Sequence, residues 1–222
     1  GMAPPQSPWV YRTAVASFLV QLAVAAVTSA TFFLPLSADV SADLEVILAI
    51  ELAAQVVELL WYTYAVFSAG TILTWTRYVD WFVSTPTMLA TVALFFYHRR
   101  GLALGSLFQS YIPYTVFALN WAMLALGLLV ERGMLALVPG VSAGSAALVG
   151  VFALLALLLG PIADVDALSH GIFWTMYAVW ALYGVFALLP DAPKNIGYNA
   201  LDLLSKNAFG VFLFAYALMN QA

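Results

Sequence analysis

The chain has 222 residues, 64% of them hydrophobic and only 8% charged, with a mean hydropathy of +0.98. So little polar surface excludes a soluble domain of this size, and at ~20 residues per span the length holds about seven transmembrane helices. A net charge of −4 is too small to imply a nucleic-acid partner, and the absence of cysteine excludes disulfides, thiolate metal sites and a cysteine nucleophile.

The apolar segments follow one another with short polar punctuation. Segment A runs from Trp9 to Leu34 and is stopped by Pro35. It is of spanning length, so it reads as a helix that is kept and not as a cleaved leader. Ser37 to Asp43 reads as a polar link. Segment B, Leu44 to Phe67, carries Glu51, Gln55 and Glu58, and Ser68-Ala69-Gly70 reads as a tight turn. Segment C runs from Thr71 to Tyr97 and ends in His98-Arg99-Arg100-Gly101. Segment D, Ala103 to Val130, invites a bend at Pro113. Segment E is clearest from Ser145 to Leu159, and Gly160 to Ser169 is a loop with Asp164 and Asp166. Segment F runs from Gly171 to Leu189, Pro190 to Lys194 reads as a rigid turn, and segment G, Ile196 to Met219, closes the chain.

No soluble part is left over, so residues 1–222 are expected to form a single seven-helix domain in a lipid bilayer. Nearly all-round hydrophobicity excludes an outer-membrane barrel, whose strands would alternate. Loop charges barely orient the bundle. Arg99 and Arg100 lie on one side, and Arg12, Arg132 and Lys194 on the other, which leans slightly against an outside N-terminus. His98 and His170 fall at span ends and read as solvated termini.

Lys206 sits near the middle of segment G, too deep for its stem to reach water. A charge at bilayer depth is expensive and needs a partner. Asp202 lies one turn earlier on the same face. In segment C, Arg77, Asp80 and Ser84 share a face at i, i+3 and i+7. Two carboxylates, a guanidinium and an amine can neutralise one another where each alone would be too costly. The bland reading is a charge network that locks two helices together. The sharper reading is a lysine that forms a Schiff base with a carbonyl cofactor. A carboxylate at ~4 Å contributes about 4 kcal/mol at an effective dielectric of 20, enough to keep that nitrogen charged. Aromatic residues for a cofactor sleeve are at hand: Trp81 in segment C, and Trp174 and Tyr177, then Trp180 and Tyr183, in segment F.

Segments C and G resemble those of microbial (type I) rhodopsins. RYVDWFVSTP matches the family's Arg-Tyr-x-Asp-Trp-x-x-Thr-x-Pro pattern, and LDLLSKNAFG its Asp-x-x-x-Lys pattern. Trp174 and Tyr177 supply the Trp-x-x-Tyr of the ring sleeve, and Asn120, Met123 and Gly127 have the family's spacing in segment D. The resemblance implies an all-α, bacteriorhodopsin-like bundle of seven helices, with all-trans retinal bound to Lys206. It implies Asp80 as primary counterion and proton acceptor, Asp202 as second counterion, and Arg77 as an organiser of charge on the outer side. It also implies an extracellular N-terminus, a cytoplasmic C-terminus and a photoreceptor that is not an enzyme. Met88 and Ser205 join Trp81 in the expected pocket. Ser205 places a hydroxyl near the nitrogen, which should shift absorption to the blue.

Departures from the pump pattern shape the functional expectation. Thr91 stands where outward proton pumps of the family usually carry a donor carboxylate. The loop between segments F and G lacks a pair of glutamates, and Ala178 follows Tyr177 where the pattern has proline. Glu51 and Glu58 share a helix face about 10 Å apart at ~1.5 Å per residue. That pair is similar to one in helix B of algal and viral channelrhodopsins, and Asn207 follows the lysine as in those channels. A Glu51–Asn207 gate, with Ser17 or Gln21 beside it, and a cation pathway through Ser84 and Glu58 are therefore expected. The plainer reading makes Glu51 and Glu58 neutral structural carboxyls. The expectation is a light-gated cation channel, with a slow outward proton pump and a sensory photoreceptor as alternatives. Whether the chain forms a homo-oligomer stays open.

Overall fold

The computed structural model describes residues 7–36, 38–68, 72–161 and 165–220, with the backbone alone for 38–41. The fold is helical almost throughout. Its helices are α1 (Pro8–Ala30), α2 (Ala38–Phe67), α3 (Arg77–Arg99), α4 (Ile112–Glu131), α5 (Leu137–Leu159), α6 (Ala167–Ala187) and a final rod, α7 (Asp191–Leu218). Each packs on the next, and α7 returns to α1, so the seven close into a bundle. Short connections make successive helices antiparallel.

Five of these helices, α1, α3, α4, α5 and α7, are long and apolar enough to cross a membrane. The other two complete the ring: α2, which carries Glu45, Glu51 and Glu58, and the aromatic-rich α6. The outer surface of the bundle is largely apolar, and the interior holds buried polar side chains beside an apolar core. On α1, Ser17, Gln21 and Thr28 face inward, while Leu19 and Leu22 are exposed. Without water in the bilayer core, polar side chains find partners by facing other helices, and apolar ones can face lipid.

Several boundaries differ from the sequence reading for local reasons. α2 begins at Ala38, so most of the expected polar link is its first turns. Thr74–Thr76 forms a short 3₁₀ turn, and α3 starts only at Arg77. Pro113 does not bend segment D: it sits in the first turn of α4, where its missing N–H costs nothing. Residues 104–109 form a separate 3₁₀ stretch. Pro193 likewise lies in the first turn of α7, so the expected rigid turn is a helix start. α5 begins at Leu137, ahead of Ser145. Ala69, Gly70 and Asp164, expected in turns, lie outside the described residues.

Near one end of the bundle α2, α3 and α7 pack tightly. Leu44, Ile47, Leu48, Val92, Phe95 and Leu213 are fully buried there. The buried charged side chains gather in the middle and toward the other end.

Candidate functional site: a buried lysine among carboxylates

Helix α7 is not uniform. Residues Leu203–Asn207 form a π-helical turn between α-helical stretches Asp191–Asp202 and Ala208–Leu218. A π-turn inserts one residue into the helical ladder and is frequent at functional sites. Lys206 lies in it, 2% exposed. Its Nζ donates to Asp80 Oδ2 at 2.7 Å and stands 3.6 Å from Glu58 Oε1. The lysine is thus held between α3 and α2. The second carboxylate within 4 Å of the nitrogen is Glu58, not Asp202.

Asp202 is engaged elsewhere. Its Oδ2 accepts from Tyr62 at 2.7 Å and from Arg77 at 3.2 Å, and its Oδ1 accepts from Tyr183 at 2.6 Å. Arg77 is fully buried and donates also to Asn195 Oδ1 at 3.2 Å and to Asn199 Oδ1. Its guanidinium lies 4.4 Å from the centre of the Trp61 ring, a cation–π contact. This knot joins α2, α3, α6 and α7. Tyr62, Tyr183, Asn195 and Asn199 had no place in the expected charge cluster. Spacing could have found three of them: Tyr62 is one turn beyond Glu58, and Asn195 and Asn199 lie seven and three residues before Asp202 on its face.

A cavity of about 250 Å³ opens beside Lys206, between α3, α4, α5, α6 and α7. Trp81, Met88, Met123, Gly127, Tyr177 and Ser205 line it, as does Lys206 itself. So do Trp180 and Tyr183, whose ring packs edge-on against Trp81 at 5.4 Å. Gly127 is required by close approach, because a Cβ there would stand 2.6 Å from the Tyr78 hydroxyl. Trp174 does not reach the cavity. It lies on the outer face of α6, 58% exposed, since the inward stripe runs through Phe173, Met176 and Trp180. The aromatic pair beside the lysine is Trp180 and Tyr183, and the residue after that tyrosine is Gly184, not Ala178. The cavity suits a rod-shaped apolar aldehyde: its amine lies at the wall, its sides are aromatic, and glycine makes the room.

A second polar region runs between α1, α2 and α7. Gln21 donates to the Gln55 carbonyl at 3.2 Å, Gln55 donates to Glu51 Oε1 at 3.3 Å, and Ser17 donates to the Asn199 carbonyl at 3.2 Å. Gly210 lets the Gln55 amide and Thr28 approach the α7 backbone. No hydrogen bond joins Glu51 to Asn207. The hydrogen bond that the Glu51 carboxyl does make is at Oε1, from Gln55 of its own helix. Both polar atoms of the Asn207 amide are buried without a partner, as are Glu51 Oε2, Gln55 Oε1, Gln21 Oε1 and Thr28 Oγ1. Ser84 is fully buried on the Asp80 face of α3, and Thr91 donates to the Thr87 carbonyl at 2.9 Å.

The ends of the bundle carry structural ion pairs. His98 is not a solvated terminus: its ring meets Asp43 at 3.1 Å and the Tyr216 hydroxyl at 3.3 Å, tying α3 to α2 and α7. Asp166 caps α6 by accepting from the Leu168 and Ser169 amides. Burial works against its charge, but the Ser169 hydroxyl and Arg99 outweigh it and hold the carboxyl below the usual range. At the opposite end Lys194 bridges α7 to Glu131 of α4 at 2.7 Å and also meets Asp191 at 3.7 Å.

A seven-helix membrane bundle with a buried, carboxylate-paired lysine beside an aromatic cavity defines the class of retinal-binding, light-sensitive membrane proteins. The chain belongs to the bacteriorhodopsin-like protein family, whose model matches residues 13–220. Its fold is similar to that of the viral rhodopsin OLPVRII, with a TM-score of 0.83 and 24% identity over 95% of this chain and 98% of that one. A blue light-absorbing proteorhodopsin from Med12 matches with a TM-score of 0.73 and 21% identity, over 96% of this chain and 100% of that one. The Halobacterium salinarum halorhodopsin in its bromide-bound form matches with a TM-score of 0.73 and 16% identity, over 96% of this chain and 94% of that one. No curated protein sequence matches the chain.

Proposed function

We propose that the chain binds all-trans retinal on Lys206 and works as a light-gated cation channel, with its N-terminus outside the cell. The observation that carries this reading is the run of buried polar side chains between α1, α2 and α7. It extends from Glu58 at the lysine nitrogen to Gln55, Glu51, Gln21 and Asn207, with several oxygens lacking partners. Unpaired buried oxygens are costly in a sealed core and useful along a path for water and cations.

When bound as an imine on Lys206, retinal supplies light absorption and an isomerisation that re-aims the nitrogen. Asp80 Oδ2, 2.7 Å from Nζ, is placed to take the proton. Arg77, Tyr62 and Tyr183 fix Asp202 by hydrogen bonds away from the nitrogen, so that Asp80 is the carboxylate in direct contact with it. The Glu51–Gln55–Gln21 set forms the constriction, and the apolar layer of Leu48, Val92 and Leu213 closes the path in the dark. Hydrophobic layers of this kind gate by excluding water.

Photocurrent against holding voltage, with retinal supplied, tests this reading. A current that reverses near an ion's equilibrium potential supports the channel. The second reading, a slow outward proton pump, is favoured by the direct Lys206–Asp80 contact with Arg77 and Asp202 beyond it. It gives a small outward current that does not reverse.

A further inference from the structure

The core holds more carboxyl groups than cations. Arg77 and Lys206 are positive; Asp80, Asp202, Glu58 and Glu51 are carboxyls, and all six side chains are buried. Arg77 pairs with Asp202 at 3.2 Å and Lys206 with Asp80 at 2.7 Å. If every carboxyl were ionised, two negative charges would remain uncompensated in a dry interior, which is prohibitively costly. Two carboxyls therefore hold protons. Glu51 and Glu58 are the two left over once each cation is assigned its nearest carboxylate, since Glu58 stands farther from Lys206 than Asp80 does. Glu58 is the more telling of them. It is fully buried, and neither of its oxygens accepts a hydrogen bond from the protein, yet Oε1 is 3.6 Å from the lysine nitrogen. A carboxylate ion left without a single donor in that position would be poorly stabilised, whereas a neutral carboxylic acid tolerates it.

From this juxtaposition we infer that Glu58 is the internal proton donor to the Lys206 nitrogen, so that the role Thr91 cannot fill on α3 has moved to α2. The order of events balances. The nitrogen first gives its proton to Asp80 Oδ2, leaving both groups neutral. The O–H bond of Glu58 then breaks, an N–H bond forms on the nitrogen, and Glu58 becomes the carboxylate that compensates the restored positive charge. Asp80 on α3 and Glu58 on α2 hold the nitrogen between an acceptor and a donor. Glu58 regains its proton from the Glu51 side, along α2, or from Asp80. The first route carries a proton across the protein and the second does not. The ionisable groups that face Glu58 are Lys206 and Asp202 on α7, Asp80 on α3 and Glu51 on its own helix. Thr91 is fully buried and its hydroxyl is committed to the Thr87 carbonyl, which leaves α3 without a competing donor. This inference rests on retinal binding at Lys206 but not on the choice between channel and pump.

Infrared spectroscopy of the full-length protein with ¹³C-labelled glutamate tests it, in the retinal-free protein and in the pigment. Of the other glutamates, Glu45 is exposed and Glu131 is paired with Lys194, so a protonated-glutamate carbonyl band at neutral pH reports on Glu51 and Glu58. The expected result is such a band in the dark in both forms. Part of it disappears in Glu58→Gln and is retained, shifted, in Glu58→Asp. In the pigment the same part bleaches as the nitrogen is reprotonated. Recovery of the dark absorption slows by about a hundredfold in Glu58→Gln, the usual contribution of a placed general acid, and is restored largely by Glu58→Asp. A band unchanged in Glu58→Gln, or a Glu58 that is ionised in the dark, overturns the inference and makes Glu58 a second counterion. Should Glu58→Gln fail to fold, the bleaching of the labelled band in the wild-type pigment decides alone: no bleaching in step with reprotonation overturns it. Failure of the wild-type chain to form any pigment is a separate outcome, which refutes retinal binding itself.

Discussion

Arg77 on α3 and Asp202 on α7 form a fully buried ion pair at 3.2 Å, and Tyr62 and Tyr183 complete the shell of the carboxylate. Four helices meet in this one knot. Its consequence for Lys206 is that Asp202, although a single turn away along α7, acts at second hand. Asp80 and Glu58 are the carboxyls that face the nitrogen.

Removal of the amine is the most direct check on the site. Lys206→Ala is expected to fold and to form no pigment with added retinal, because no other lysine lies at the cavity wall. A coloured covalent adduct in that variant would contradict the assignment of the lysine.

The division of labour between the carboxylates predicts unequal colour shifts. Asp80→Asn removes the hydrogen-bonded partner of Nζ and should move the absorption maximum of the pigment to the red. Asp202→Asn should move it less and should instead destabilise the bundle, since Arg77 loses its ion pair. Breaking one side of a buried pair costs about 3–5 kcal/mol. Visible spectra and thermal melts of the two variants separate these effects, and an unshifted Asp80→Asn spectrum would make Asp202 the dominant counterion.

Tyr183 serves both the knot and the cavity, with its hydroxyl 2.6 Å from Asp202 and 3.0 Å from Ser205. Tyr183→Phe keeps the ring that packs on Trp81 but removes a hydrogen bond to a charged group, at a cost of about 1.5–3 kcal/mol. A melting temperature equal to that of the wild type would show that the hydroxyl contributes nothing.

Gly210 is a point of close approach between α7 and the side chains of Gln55 on α2 and Thr28 on α1. A methyl group there collides with the Gln55 amide and stands 3.0 Å from Thr28 Oγ1. Gly210→Ala should displace Gln55 from Glu51 and change photocurrent amplitude or ion selectivity while the absorption spectrum stays near that of the wild type. A shifted spectrum with unchanged current would place the effect in the retinal cavity instead.

Asp166 caps α6 outside the membrane-spanning part, so its replacement reads out local stability. Asp166→Ala should cost about 1 kcal/mol, as for other N-caps. Its carboxyl is held below the usual range in the folded protein, so its contribution is complete above the ordinary carboxylate range and is lost as pH falls. Wild type and variant should therefore converge in stability toward acid pH, which melts recorded across a pH series will show.

The membrane bundle, the depth of Lys206 and the two motifs that mark the site are all legible in the amino-acid order. Hydrophobicity over spanning lengths and i, i+3, i+4 spacing are properties of one helix at a time, and a single helix exposes them fully. Which side chains from different helices meet was decided only by tertiary packing. The π-turn at Leu203–Asn207 sets the direction of Lys206. The tyrosines of α2 and α6 close around Asp202, and Glu58 reaches the lysine nitrogen, where Asp202 was expected. The same cause turns Trp174 outward and places Trp180 in the cavity wall. All-round apolar character hides which face of α6 is inner, because in lipid an outward tryptophan costs as little as an inward one.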